Sequence, residues 1–302
     1  MPGRDDRVVT SPDHRDRGGA DRGGRASNLK LRVASAAVLV PLALVCAYLD
    51  GWIFLVLCLI AAGGILWEWA SLVSGEPDPR ILAPGWAGML IAAALVSVNL
   101  PAAAAGTIAI EAVFAALAVA ALPRNEATLG PVAWAVGGVI YAGIALLAPA
   151  LLRRDPQWGL TALLFLFATV WTTDIFAYFC GRALGGPALA PRVSPNKTWS
   201  GAVGGLFGGV AAGIAVAYAS GIGKLGIIGV MALSLSVLAQ AGDLFESAVK
   251  RHFGAKDTSG LIPGHGGLMD RLDGFLVAAL AAVLIGIIRQ GAATPARGFL
   301  VW

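Results

Sequence analysis

A chain of 302 residues that is 57% hydrophobic and only 13% charged lies outside the range of soluble domains, in which about a quarter of the residues are charged. Its mean hydropathy of +0.76 and its 40 glycines point to a polytopic helical membrane protein. The net charge of +4 sits mostly in residues 1–32, with eight Arg/Lys against five Asp. The remaining 14 basic and 13 acidic residues form no excess that would suit nucleic acid.

Residues 1–28 are rich in Arg, Asp and Gly and hold almost no apolar side chains. They cannot bury a core, so they are expected to be a disordered, basic cytoplasmic tail. The tail is too long and too acidic for the charged start of a signal peptide. Apolar runs of spanning length then follow at about 31–49, 51–73, 81–99, 102–122, 131–152, 159–181, 199–220, 225–250 and 271–290. The expected fold is therefore all-α, a polytopic integral membrane protein with about nine transmembrane helices. We divide it into N-terminal transmembrane helices at 29–157 and a C-terminal catalytic part at 158–302. Little more than Pro101 separates the third run from the fourth, so either could be tilted or re-entrant. Cys46, Cys58 and Cys180 fall inside apolar runs without metal-ligand spacing and read as packing residues.

Lys and Arg near the span ends set the orientation. With the basic tail inside, the loops at 74–80, 123–130, 182–197 and 251–270 also lie inside. Arg153 and Arg154 are the exception, since this model puts them outside. In the seventh run, Gly201, Gly205, Gly209 and Gly213 recur every four residues, a pattern that lets two helix backbones approach closely. It allows a tight bundle or a homodimer.

Two polar islands interrupt this apolar chain. Asp174 follows Trp171-Thr172-Thr173 late in the sixth run and precedes Tyr178, Gly181 and Arg182. A hydrogen bond to a threonine on another helix would also account for it. Next, Ser194-Pro195-Asn196-Lys197-Thr198-Trp199-Ser200 places a Lys and three hydroxyls before the glycine-striped run. A capped helix start with a snorkelling Lys is an equally good account of that stretch alone.

The densest charge lies between Asp243 and Asp273. It includes the acids Asp243, Glu246, Asp257, Asp270 and Asp273 and the bases Lys250, Arg251, Lys256 and Arg271. On a helix, Asp243, Glu246, Ser247 and Lys250 share a face. An acid near the end of a span faces a cavity or a partner. Asp270 and Asp273 share a face at the start of the last run, where a carboxylate suits a helix N-terminus. Capping alone does not call for the preceding Pro263-Gly264-His265-Gly266-Gly267. Amides in such a glycine-rich turn suit phosphate. Carboxylates can hold a hard divalent cation, and Lys and Arg neutralise phosphate oxygens. At a membrane surface, the combination suggests phosphoryl or nucleotidyl transfer to a lipid head group.

These residues resemble the phosphatidate cytidylyltransferase (CDP-diacylglycerol synthase) family. Its signature stands here as Ser247, Lys250, Arg251, Lys256, Asp257, Pro263 to Gly267, Asp270, Arg271 and Asp273, and the resemblance covers about residues 170–290. Ser200 stands where many relatives carry Glu, and Thr258-Ser259-Gly260 differs in order from the common pattern. The resemblance implies that CTP and phosphatidate give CDP-diacylglycerol and pyrophosphate. It implies Asp243 and Asp270 as the main metal-binding carboxylates, joined by Asp273 and Asp174, with Mg²⁺ and room for a second cation. It implies catalytic roles for Asp243, Asp270, Lys250, Arg251 and Arg271, and substrate contacts from Lys197, Lys256, Ser194, Asn196, His265, Gly266, Gly267 and Arg182. The partners expected are CTP, phosphatidate in the bilayer, membrane lipids and a second copy of the chain, with no nucleic acid. The expected place is a bacterial-type inner or cell membrane, with the site facing the cytoplasm. Two other readings compete: another lipid-phosphate nucleotidyl- or phosphotransferase, and a cation transporter. Charge gathered in one knot, and not spread along a path, weighs against transport.

Overall fold

In lipid, backbone N–H and C=O groups must be satisfied within the chain, so apolar runs of this length form helices. A computed structural model describes residues 17–49, 51–77, 79–121, 130–262 and 266–302. Among these described residues are nine long helices: α1 (Arg17–Leu49), α2 (Gly51–Ser74), α3 (Pro79–Ser97), α4 (Pro101–Ala120), α5 (Gly130–Arg153), α6 (Gly159–Leu184), α7 (Trp199–Ala219), α8 (Leu225–His252) and α9 (Met269–Gln290). Each expected run falls on one of them. Among the described residues, seven are long and apolar enough to cross a membrane. In α1 and α3 the apolar parts are shorter, Ala34–Leu49 and Leu82–Ser97.

Helix α1 starts at Arg17, so residues 17–28 of the segment expected to be disordered are helical. Extending an existing helix costs less than nucleating a new one. Residues 1–16 lie outside the described residues. At the other doubtful point, Pro101 occupies the first turn of α4, where its missing N–H costs nothing. Asn99 just before it takes a left-handed φ of 65°. The third and fourth runs are therefore two helices joined by a tight turn.

Helices α2 to α5 pack on one another, and α6 to α9 form a second group. The broadest helix contact is α6 against α7, and α5 and α2 touch α9 across the two groups. The glycine stripe makes the α6–α7 contact. Gly201, Gly205, Gly209 and Gly213 are all buried. A Cβ at Gly201 would collide with the carbonyl of Ala177, and one at Gly205 with that of Thr173. The stripe is thus filled mainly by α6 of the same chain, with α8 meeting Gly209 and Gly213.

Three short elements have no counterpart in the expected runs. Strands β1 (Ala188–Ala190) and β2 (Ser194–Thr198) pair antiparallel as a hairpin between α6 and α7. Thr198 ends β2 and caps α7, its Oγ1 accepting the Gly201 amide at 3.1 Å. Near the C-terminus, α10 (Pro295–Leu300) packs on α9 with Ala296, Phe299 and Leu300 fully buried.

Arg153 and Arg154, the exception in the orientation argument, are tied down at the end of the bundle away from the hairpin. The Arg153 guanidinium donates to the Ala47 carbonyl at 2.5 Å, and Arg154 donates to the Asn99 side chain. They clamp helix ends, and a basic pair held this way carries little information about orientation.

Candidate active site

The polar islands meet at the other end of the bundle. The hairpin delivers Lys197, whose Nζ forms an ion pair with Asp243 on α8. One turn further along α8, Glu246 is 1% exposed. Asp243, Glu246 and Asp273 of α9 bring one carboxylate oxygen each within 4.8 Å of one another. Lys250 lies between two acids, its Nζ 2.8 Å from Glu246 and 2.5 Å from Asp270. The expected sharing of one α8 face is realised, and Ser247 donates weakly to Asp243 at 3.5 Å.

Asp270 has a different setting from the three clustered acids. Its Oδ1 faces Lys250, while its Oδ2 accepts the Gly267 amide at 2.8 Å, the Thr258 amide at 3.1 Å and the Thr258 hydroxyl at 3.0 Å. It therefore anchors the loop before α9. That loop is closed by paired amides and carbonyls of Ile262 and Gly266, at 2.9 and 3.1 Å. Gly266 has φ of +86°, a conformation that favours glycine. A Cβ at Gly267 would collide with Thr258 Oγ1. His265, with Pro263 and Gly264, lies outside the described residues.

A cavity of about 1450 Å³ opens beside these groups. Its charged wall holds Asp174, Asp243, Asp257, Asp270 and Asp273 together with Arg182, Lys197, Lys250 and Arg271, and Ser194 and Asn196 of β2 also line it. Asp174 comes from α6 and is close enough to Asp243 for their charges to repel. Arg182 donates to Tyr178 at 2.9 Å. Helices α1, α2 and α5 contribute only apolar side chains to the same cavity, among them Leu39, Phe54 and Leu57. Two expected cations stand apart from its lining. Arg251 donates to the carbonyls of Val193 and Ala255, tying α8 to the hairpin turn and to the loop. Lys256 is exposed next to Asp257. Ser200, at the position where many relatives carry Glu, donates to the Gly185 carbonyl.

The residues fit a hard cation on the chemistry of their donor set. Three carboxylates converge, and neither oxygen of the buried Glu246 makes a hydrogen bond of good geometry among the described residues, despite its ion pair with Lys250. A buried acid without such partners is costly and suits an added positive charge. The buried Tyr141 hydroxyl of α5 also has no partner among the described residues. It faces the field of Asp243, Glu246, Asp270 and Asp273.

Sequence reasoning overlooked Glu68. It lies on α2, fully buried, accepts three hydrogen bonds from the loop before α9 and from the start of that helix, and competes with Asp270 for a fourth, from the Thr258 hydroxyl. A lone acid inside the apolar run Trp67-Glu68-Trp69 was the available signal.

A family profile described as "Cytidylyltransferase family" matches residues 30–288 of the chain. A phosphatidate cytidylyltransferase of Brucella abortus biovar 1 (strain 9-941) is 41% identical over 263 residues, covering 87% of this chain and 94% of that protein. Those of Bacillus subtilis (strain 168) and Haemophilus influenzae (strain ATCC 51907 / DSM 11121 / KW20 / Rd) are 38% and 43% identical over 170 and 142 residues. They cover 56% and 45% of this chain, and 63% and 49% of their own lengths.

Proposed function

The chain belongs to the cytidylyltransferase family, and from that premise we propose that it transfers the cytidylyl group of CTP to phosphatidate. The products are CDP-diacylglycerol, a precursor for phospholipid synthesis, and pyrophosphate. The observation that carries the reading is a large cavity with one charged and one apolar wall. Such a cavity suits a substrate with a phosphate head and hydrocarbon tails, met by a polyphosphate nucleotide.

A phosphate oxygen of phosphatidate attacks the α-phosphorus of CTP. The new O–P bond forms as the bond to the β-phosphate oxygen breaks, and the electron pair leaves with pyrophosphate. The attacking oxygen is already an anion, so no strong general base is required. The chain's work is to hold two polyanions in line and to offset their charge. Lys197, Lys250 and Arg271 line the cavity and can meet phosphate oxygens. Lys197 and Lys250 are held by Asp243 and by Glu246 with Asp270. A phosphate that draws Lys250 away frees Asp270 Oδ1 toward the cavity.

Asp243, Glu246 and Asp273, whose carboxylates converge, would hold Mg²⁺, and Asp174 and Asp270, which line the same cavity, would support it or a second cation. When bound, the ion supplies charge neutralisation for the triphosphate and the leaving pyrophosphate. The site faces the cytoplasm, where CTP is found, in a multi-pass protein of a bacterial cell membrane. A homodimer would use a face other than the glycine stripe, which α6 and α8 already fill.

Purified protein with CTP, phosphatidate and Mg²⁺ provides the test. The expected result is equal release of pyrophosphate and CDP-diacylglycerol. Absence of both products overturns the proposal.

A further inference from the structure

Helices α2 to α5 carry few polar residues, yet one of them reaches the loop before α9. Glu68 Oε1 accepts the Ser259 hydroxyl at 2.6 Å and the Leu268 amide at 2.7 Å. Its Oε2 accepts the Met269 amide at 2.7 Å and faces the Thr258 hydroxyl at 3.3 Å. Its partners stand on both sides of the glycine-rich segment: Thr258 and Ser259 before it, Leu268 and Met269 after it.

Two further features tie this carboxylate to Asp270. Thr258 is shared, since its hydroxyl is also 3.0 Å from Asp270 Oδ2. A hydroxyl has one proton, so the two acids compete for it while the Thr258 amide stays on Asp270 at 3.1 Å. Gly267 is packed so tightly that an added Cβ would meet the Glu68 carboxylate as well as Thr258. Glu68 also supplies from another helix the cap that Leu268, at the N-cap of α9, does not provide with its own side chain. The first turn of α9 carries Asp270 and Arg271, and Asp273 follows. The phase of that turn decides where all three side chains point.

The geometry points to Glu68 as a positioning residue for cytidylyl transfer: it clamps both ends of the glycine-rich loop and fixes the first turn of α9, without touching substrate. This inference rests on the reaction proposed above. Glutamine cannot replace it, although it has the same shape. The Leu268 and Met269 amides can only donate, and they lie on different oxygens of the carboxylate. Whichever way a glutamine amide turns, its NH₂ confronts one of them.

The test is Glu68→Gln in the full-length membrane enzyme, compared with Glu68→Asp and Ser259→Ala. Loss of one charged hydrogen bond with a donor left facing a donor should lower kcat per folded molecule about 10- to 100-fold in Glu68→Gln. KM for CTP should rise more than KM for phosphatidate, and hydrogen exchange at the Leu268 and Met269 amides should quicken about tenfold or more. Glu68→Asp, which keeps the charge, should recover part of kcat. A merely structural role would lower thermal stability and yield while leaving kcat and both KM values per folded molecule unchanged, and that result overturns the inference. If Glu68→Gln does not accumulate as folded protein, Ser259→Ala decides. A fall in kcat with faster exchange at Leu268 supports the clamp, and wild-type values of both overturn it. Failure of the wild-type enzyme to make CDP-diacylglycerol is a different outcome, because it refutes the reaction and not the clamp that the exchange rates report.

Discussion

The two ends of the helix bundle are both rich in charge, and among the described residues the large cavity opens beside the charges of one of them. At the end away from the hairpin, Asp155, Arg153, Arg154 and Arg289 are each matched to a nearby backbone or amide partner. Asp155 is 3% exposed and accepts the amides of Gln157 and Trp158 at 3.0 Å each and that of Arg297 at 3.2 Å. Arg153 holds a carbonyl of α1, Arg289 holds one of α10, and the Arg289 guanidinium stacks on Trp302. At the other end, charged side chains face one another across a large cavity. Lys197 meets Asp243, and Lys250 is divided between two acids. A buried charge satisfied by backbone is a fastener. A charge held mainly by other side chains beside a cavity can exchange such a partner for a ligand.

The largest effect should come from Asp243, which belongs to the exchangeable kind. Asp243→Asn removes one charge from the carboxylate trio and the counter-charge of Lys197 without changing shape. Turnover should fall by about 1000-fold or more, equivalent to ~4 kcal/mol of transition-state stabilisation. The variant should still insert and unfold near the wild-type temperature. Near-normal release of pyrophosphate would remove Asp243 from the charge-handling role.

Lys250 couples the site to stability. Its side chain is 12% exposed, and the acids it joins are 1% and 4% exposed. Lys250→Met leaves two buried carboxylates without their shared cation and should destabilise the protein by about 3 kcal/mol. Thermal unfolding in detergent would show this, and activity per folded molecule should fall as well. Adding Glu246→Gln to Lys250→Met should restore part of the stability, because one of the stranded charges is gone. Strictly additive losses in the double variant would contradict the shared-cation arrangement.

The contrast between the ends also separates what the sequence reveals from what it hides. Length and apolarity mark all nine long helices, because a spanning run is a local property. The islands around Asp174, Lys197 and Asp243–Asp273 are equally visible, since charge within an apolar chain stands out by composition alone. Partnership is not visible. Glu68 meets residues 190 to 201 positions away, and no local periodicity encodes that pairing. Asp270 reads as the equal of Asp243 in sequence, yet it holds a loop while Asp243 joins Glu246 and Asp273. The α10 turn is six residues long and follows a short Gly-Ala-Ala-Thr stretch, too brief to produce a helical pattern. The partners of Arg153 and Arg154 are hidden for a related reason: a rule about loop charge takes no account of an arginine that spans two helix ends.

The smallest effect should appear at Asp155, and it tests the fastener idea directly. Asp155→Ala removes the acceptor for two amides that begin α6 and for the Arg297 amide that begins α10. Loss of a helix cap of this type costs about 1 kcal/mol. The third amide raises that modestly, because the exposed turn at Pro156 and Gln157 lets water reach part of the gap. The cavity lies at the other end of α6, so kcat and both KM values per folded molecule should match wild type. A lowered unfolding temperature with unchanged kinetics would mark this end as structural. A change in KM for either substrate would show that the two ends of the bundle are coupled, and the division between fastened and exchangeable charge would then fail.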